Sequence, residues 1–370
     1  AAIDVATGFA TAWNPDCDGQ VFALAASGTS LFVGGGFAHL GGQHREYIGA
    51  VDLKTGRATP WYPGHLSSGV RALAVSEGTL YMGGFFSGIG STTRNSIAAL
   101  DVATADVLPW NPNANGPVQA IVIDGQTLYV GGGFSRIGGR DRPYLAAFNR
   151  FTGQVTDWNP APDGMIAAIC AMGDTVYIGG GFNRVGGKVR RFLGAVDALT
   201  GAATGWSADT TSGILTILPR GNELFVGGQF QTIGGVPRDH LAMLDRRFPA
   251  PNATPWNPRP GAESSTSTVR ALSLMESTLF VGGDFRTVDG ATVQYVAAFD
   301  FPGRVQSPLR LPDGLFRLNF IGPLGKLVVF EASSDLVDWT PVLTNRAPFV
   351  FEDAESLNHP RRFYRATLPK

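Results

Sequence analysis

Six tryptophans recur along the chain at nearly constant intervals: Trp13, Trp61, Trp110, Trp158, Trp206 and Trp256, spaced 48, 49, 48, 48 and 50 residues apart. A second word, an apolar residue followed by Gly-Gly, starts at 33, 82, 130, 178, 226 and 281. Two independent words repeated six times constrain the fold more than any property of composition. Each unit parses into four short strands, such as VRALAV (70–75), TLYMGG (79–84), SIAALD (96–101) and DVLPW (106–110). Turn words such as SEGT, KTG and NPAPDG separate the strands. Four strands in a unit of about 48 residues match a β-propeller blade, whereas β-solenoid coils are usually shorter. The expected fold is all-β: a six-bladed β-propeller.

The last unit, from Val269, has the first three strand words (VRALSL, TLFVGG, YVAAFD) and then lacks a Trp word. The missing word, FATAWNP, lies at the opposite end of the chain. Residues 9–15 are therefore expected to complete the blade begun over 269–303. Such a clasp closes the propeller with an N-terminal strand and removes two sheet edges. The balance leaves one half-blade over: AAID at 1–4 duplicates VAAFD at 296–300, and GRVQSPLRLP at 303–312 passes as a weak fourth strand. The surplus makes Ala1, Ala2, Ile3 and Asp4 candidates for strand pairing with another molecule, copies of this chain among them.

The repeat fills residues 1–312. The remainder, 313–370, contains five strand words: FRLNFIG, LVVFEAS, WTPVLT, FVFEDA and RRFYRATL. It reads as a small β-sandwich with Trp339 and Phe363 as anchors. A module of about 55 residues is marginal alone, so it is expected to pack on the propeller or a neighbour. Trp339 and Phe363 join the assembly candidates for that reason.

Charge narrows the function classes. Lys and Arg number 29 against 30 Asp and Glu, a net charge of -1, which lacks the basic footprint of a nucleic-acid partner. No apolar run reaches the ~20 residues needed to span a bilayer. The two cysteines, Cys17 and Cys170, make no disulfide framework, and spacing leaves open whether they are bridged. The chain opens inside a repeat, as a processed exported chain would and as an artificially trimmed chain would equally.

The repeat, read as GGxFxxxGGxxRxxLAAxDxxTGxxxxWNP, resembles the secreted bacterial β-propeller repeats sometimes called delta-60 repeats, over residues 1 to about 305. The words EASSDLVDWTPV and RRFYRATLP are similar to a small β-module that ends many exported bacterial surface proteins. The resemblance implies an extracellular or cell-surface location and supplies no reaction. The AxDxxTG…W portion is also similar to the tryptophan-docking motif of quinoprotein dehydrogenases. It departs in having one more residue before the Trp, and the blade number and lack of adjacent cysteines argue against a quinone cofactor.

Residues present in every copy are most simply building parts. The six Trp residues are expected to wedge between blades, since a buried indole wants one partner for its N–H. Asp4, Asp52, Asp101, Asp197 and Asp245 are expected to hold turns through backbone N–H groups. The Gly-Gly pairs permit positive φ or close backbone approach, and no helix pattern follows them to suggest a phosphate site. An Arg recurs between the second and third strands: Arg45, Arg94, Arg142, Arg190 and Arg238, with Val293 at the sixth place. These could form a ring holding an anionic ligand such as an acidic glycan, or could each bond within their own blade.

Departures from the consensus are where function more often sits. The connection WNPRPGAESSTSTV (256–269) is long, and Gln229, His39, His44, His240, Asp284 and Asp289 break the pattern near the same face. NPDCDG (Asp16, Asp18) and NPAPDG (Asp163) resemble fragments of calcium loops without the closing Glu, so no metal is expected beyond a weak case for calcium. His39, His44, His65, His240 and His359 show no zinc spacing, and no GxSxG elbow is present. The leading expectation is a non-enzymatic exported protein that assembles through strand exchange and its C-terminal module. A glycan-binding propeller is the alternative, and a polysaccharide-degrading enzyme the third.

Overall fold

The computed structural model describes residues 1–5, 7–249, 252–262, 264, 266–301, 304–312, 315–322, 327–347, 349–359 and 361–367. The chain is all-β, and its sheets are antiparallel. It divides into two compact units: Ala1–Ala2, Ala10–Ala271 and Gly283–Tyr295 in one, Ile3–Phe9, Leu272–Gly282 and Val296–Lys370 in the other.

The repeat folds as its words predict. The inner strands are Gln20–Ser27, Val70–Ser76, Val118–Asp124, Ile166–Met172, Ile214–Arg220 and Val269–Met275. Each pairs in its sheet with a middle strand: Ser30–Gly36, Thr79–Gly84, Thr127–Gly132, Thr175–Gly180, Glu223–Gly228 and Thr278–Gly283. Outer strands follow at Ile48–Asp52, Ile97–Asp101, Leu145–Asn149, Leu193–Asp197, Leu241–Asp245 and Val296–Asp300. The fourth strand word is a full strand in the fourth sheet, Ala203–Ser207. In the first, second, third and fifth sheets it joins by a single bridge: Val51 to Ala58, Leu100 to Val107, Phe148 to Val155 and Leu244 to Ala253. In the larger unit, the inner strands of the first five sheets lie side by side in chain order, which is β-propeller packing.

Glycine sets the spacing between sheets. A Cβ on Gly83, Gly131, Gly179 or Gly227 would come within 2.4, 2.7, 2.5 and 2.4 Å of Val118, Ile166, Ile214 and Val269, the first inner-strand residue of the next sheet. Those four branched residues are fully buried. Only a residue without Cβ lets the sheets approach this closely.

Three of the tryptophans bridge the same seams through their indole N–H, while those of Trp13 and Trp206 are buried without a hydrogen-bond partner. Trp61 donates its indole N–H to the Asp101 carbonyl (3.0 Å), Trp110 to Gly153 (2.8 Å) and Trp158 to Asp197 (3.0 Å). Each acceptor lies in the turn of the following sheet. Edge-to-face contacts of Phe32 with Trp61, Tyr81 with Trp110, Tyr129 with Trp158 and Tyr177 with Trp206 hold the other side of the ring. Trp256 packs edge-on against Phe225. Trp13 joins Val33, Phe37, Leu40 and Val51 in the first sheet.

The surplus word and the clasp word belong to one element. Asp4 N–H donates to Phe9 O and Thr11 N–H to Ala2 O, both at 2.8 Å, while Asp4 Oδ1 accepts from Thr7 N–H. Residues 2–4 and 9–11 thus pair back on each other as a short hairpin. Ile3–Phe9 groups with Leu272–Gly282 and Val296–Lys370.

In the smaller unit, all five expected C-terminal strands form. A sixth, Arg304–Arg310, pairs with Phe316–Ile321, so the segment that reads as a weak propeller strand belongs to the C-terminal sheets. Two three-stranded sheets result: Arg304–Arg310, Phe316–Ile321 and Phe349–Asp353 in one, Thr340–Arg346, Leu327–Ser333 and Phe363–Thr367 in the other. Their shared core is Leu318, Phe320, Val328, Phe330, Phe349 and Phe351. Trp339 instead lies half-buried at the edge, its indole bonded to Leu336 O (3.2 Å) beneath the Arg365 guanidinium. Phe363 is half-buried as the first residue of its strand.

The seam geometry makes a direct prediction. Gly131→Ala pushes a methyl into Ile166 and should destabilise the protein by about 1–3 kcal/mol, read from urea unfolding. Gly139→Ala, whose Cβ would meet open space at positive φ, tests backbone strain alone and should cost less.

Candidate functional site

Each of the first five inner strands carries one irregularity, and it falls at the same place. The register shifts between Val21 and Ala23, Val70 and Ala72, Val118 and Ala120, Ile166 and Ala168, and Ile214 and Thr216. The residue left between, a β-bulge, has no partner in the ladder and is re-aimed. These residues are Phe22, Arg71, Gln119, Ala167 and Leu215, and Arg270 is their equivalent in the sixth copy. All six line one cavity of about 600 Å³, together with Gln20, Val21, Ala271 and Asp284. The cavity is the mouth of the channel between the inner strands. Farther along the same strands a second cavity is lined by Ala72, Ala120, Ala168 and Thr216.

Charge in the mouth comes from three side chains. Arg270 is ion-paired with Asp284, Nη2 to Oδ2 at 2.6 Å. Arg71 stacks over Phe22, its guanidinium carbon 3.7 Å from the ring centroid, with Phe85 at 5.4 Å. Arg71 makes no hydrogen bond or ion pair among the described residues. Burial first, and Arg270 second, lower its proton affinity, yet an arginine stays cationic in a protein.

The five recurring arginines lie elsewhere. Arg45, Arg94, Arg142, Arg190 and Arg238 each donate to the preceding residue's carbonyl and across to Thr59, Leu108, Thr156, Thr204 and Thr254, at 3.3, 2.9, 2.8, 2.7 and 2.5 Å. Each ties the middle-to-outer connection to the fourth strand of its own sheet. The expected turn role of the Asp residues has a matching geometry. Asp52 Oδ1 accepts from Thr55 N–H (2.7 Å) and Lys54 N–H (3.1 Å), and Asp101 and Asp197 repeat the pattern. Asn149 does the same in the third sheet. Asp245 also bonds Arg247, at 2.6 Å.

Other flagged residues are engaged locally. Asp18 accepts from Ala38 and His39 N–H and pairs with the His39 ring (2.8 Å), contacts that hold its carboxyl at about 2, the His39 N–H contributing most. Asp163 accepts from Asn183 and Arg184 N–H. Among the described residues no group of three or more His, Cys, Asp or Glu could hold a metal ion. His44 and His65 face Glu46, and His240 is buried, which pushes its pKa down. The 257–268 connection, of which residues 263 and 265 lie outside the described set, folds down through a Pro260–Val288 bridge. Cys17 and Cys170 are both free thiols, and burial pushes Cys170 up to about 11. A larger cleft of about 790 Å³ runs past Phe85, Asn95, Asn113, Asn115 and Arg136. Its amides are spent internally, Asn95 on Asn113 (2.7 Å) and Asn115 on Ser135.

The channel-mouth residues other than Asp284 escaped sequence reading. The one available signal was the second position of the inner-strand word, which has no consensus: F, R, Q, A, L, R.

No protein-family model matches the chain, and no curated protein matches it. Among solved structures it is similar to the computationally designed Ika8 protein, at 15% identity and a TM-score of 0.45, covering 83% of this chain and 95% of that one. It is also similar to the Cps50 (Swd1) β-propeller domain of Myceliophteria thermophila, at 14% identity and 0.45, covering 82% and 94%. A chain of a mitotic checkpoint complex matches at 16% and 0.45 over 71% of each. No helix of the described residues is long and apolar enough to cross a membrane.

The turn carboxylates predict an acid limb. Backbone N–H donors, first those of Thr55, Thr104 and Thr200, lower the pKa values of Asp52, Asp101 and Asp197. A depressed carboxylate contributes stability above its unfolded pKa and loses it as pH falls through the folded value. Stability should therefore hold at neutral pH and decline once pH drops below the ordinary Asp range. The triple Asp→Asn variant, copying Asn149, should show a flatter decline in thermal melts across that range.

Proposed function

We propose that this chain is a non-enzymatic, exported interaction protein. Its repeats supply a rigid scaffold, and recognition falls to the channel mouth. The observation that supports this reading is a division between positions. The recurring residue types are engaged internally: Trp61, Trp110 and Trp158 on the next sheet's turn, Asp52, Asp101 and Asp197 on their own turns, and the five recurring Arg residues on their own fourth strands. The bulge position instead varies from copy to copy and faces an open cavity. Loops and irregularities on a rigid scaffold are where binding concentrates. A hydrolytic role finds less support, since glycoside hydrolysis uses two carboxylates and, among the described residues, Asp284, paired with Arg270, is the one carboxylate lining the mouth. Export rests on the resemblance of the repeat words.

A second reading, self-association, draws on one exposed apolar strand. Val21 and Leu24 are 42% and 57% exposed, whereas their counterparts Val118 and Ile166, and Ile121 and Ile169, are 0, 0, 7 and 6% exposed. A second copy covering that strand would bury it, with the C-terminal sheets serving attachment.

Both readings can be tested. A panel of immobilised polysaccharides and purified proteins should retain the wild type. Ala167→Trp, which plugs the mouth, should weaken retention by about tenfold or more, equivalent to 1.4 kcal/mol, with an unchanged melting temperature. Unchanged retention by the plugged variant, or depolymerisation of a bound polysaccharide, would overturn the recognition reading. For self-association, sedimentation velocity should show larger species rising with concentration for the wild type and a monomer for Leu24→Asp. A concentration-independent monomer for both removes the second reading.

A further inference from the structure

We propose that the channel mouth binds the acidic sugar of a glycan, with Arg71 gripping a single carboxylate and Phe22 and Phe85 flanking the pyranose ring. The inference rests on the recognition reading above and names its ligand class.

The charge balance of the mouth is the first ground. Two guanidinium groups, Arg71 and Arg270, face one carboxylate, Asp284, among its lining residues. The balance is one positive charge, which one carboxylate neutralises. A dianion would meet Asp284 as well as the two cations.

Geometry is the second ground. Arg270 is already committed to Asp284, through Nε and Nη2 at 2.6 Å each. Arg71 is not committed. Its flat face rests on Phe22, which leaves the N–H edge of the guanidinium without a protein acceptor among the described residues. That edge is a planar fork suited to a carboxylate. A stacked, half-buried guanidinium without an acceptor forgoes the strongest bonds it can make, and a bound carboxylate supplies them.

The remaining lining is the third ground. Gln20 and Gln119 offer amide donors and acceptors, and the Phe22 ring is 36% exposed; just outside the lining, Phe85 is 46% exposed with its ring centroid 5.4 Å from the Arg71 guanidinium. Apolar ring faces beside amides suit a pyranose, which has C–H faces and hydroxyl edges. A cavity of about 600 Å³ is in the range of small-molecule sites, roughly 300–1,000 Å³. The five recurring arginines have no part in this site, so they serve as internal controls.

Calorimetric titration with trigalacturonate and with its fully methyl-esterified form isolates the charge, because the two differ only at the carboxyl groups. The acid should bind at least about tenfold more tightly than the ester, a difference of 1.4 kcal/mol. Arg71→Gln should abolish the preference and Arg71→Lys should retain part of it. Arg142→Lys, in the backbone clamp, should leave it intact. Equal affinity for acid and ester, both lost in Ala167→Trp, would overturn the carboxylate assignment and leave the recognition face standing. Binding of a free-carboxylate peptide through Arg71 with no binding of the sugar acid would overturn the glycan assignment alone. Binding of neither probe here, with no retention on the wider panel, would overturn both.

Discussion

The contact on which the rest of the repeat depends is a glycine of one sheet seated on a branched side chain of the next. A Cβ at Gly83 would lie 2.4 Å from Val118, and at Gly131 2.7 Å from Ile166. The sheets are therefore spaced by backbone rather than by side chains, and the branched residue is sealed from water. The same contact creates the variable position. Val118 is held on the preceding sheet by Gly83, while Ala120 is held in its own ladder opposite Gly131. Gln119, caught between the two, has no ladder partner and turns toward the channel. The scaffold thus exposes one unconstrained residue per copy as a by-product of its tightest packing.

The recurring arginines brace the fourth strand, both where it joins by one bridge and in the fourth sheet, where it is a full strand. Where that strand joins by one bridge, its carbonyl oxygens lack a ladder, and a buried carbonyl without a donor is costly. Arg94 and Arg142 supply donors to Leu108 and Thr156. A planar guanidinium reaches two carbonyls at once, its own neighbour's and the fourth strand's. In the sixth copy the position is Val293, and no fourth-strand word follows in the chain. The arginine and the strand it clamps are absent together, which fits a backbone clamp and explains the repetition without a ligand.

Periodicity made the repeat legible because the Trp and Gly-Gly words are local consequences of its packing. The bulge was not legible in the same way. VRALAV alternates cleanly, and nothing local shows that Val70 and Ala72 lie opposite adjacent glycines while Arg71 lies opposite none. Register is a relation between strands. The C-terminal sheets repeat the lesson: five strand words were readable, but Arg304–Arg310 looks equally like a propeller strand until its partner, Phe316–Ile321, is known. Trp339 drew attention as a large aromatic, whereas the core went to Phe320, Phe330 and Phe349, which alternate inward on facing strands. Asp284 was legible because it breaks a six-fold pattern; Arg71 was not, because its position has no pattern to break.

The N-terminal hairpin resolves the surplus in the strand count. Seven outer-strand words against six sheets leave one over when each word is counted as a strand. Bonds from Asp4 to Phe9 and from Thr11 to Ala2 make the first word half of a hairpin whose other half carries the clasp word. The Asp4 turn, with Thr7 N–H on Oδ1, is the turn found at Asp52. The first word and the clasp word are thus joined by local hydrogen bonds. A hairpin presents two edges where a lone strand would be half-satisfied, and an edge with unpaired N–H and C=O groups seeks a sheet. The physical question at this end of the chain is therefore which sheet edge accepts the hairpin; among the described residues Val296–Asp300 pairs with Thr278–Gly283 and with no fourth strand.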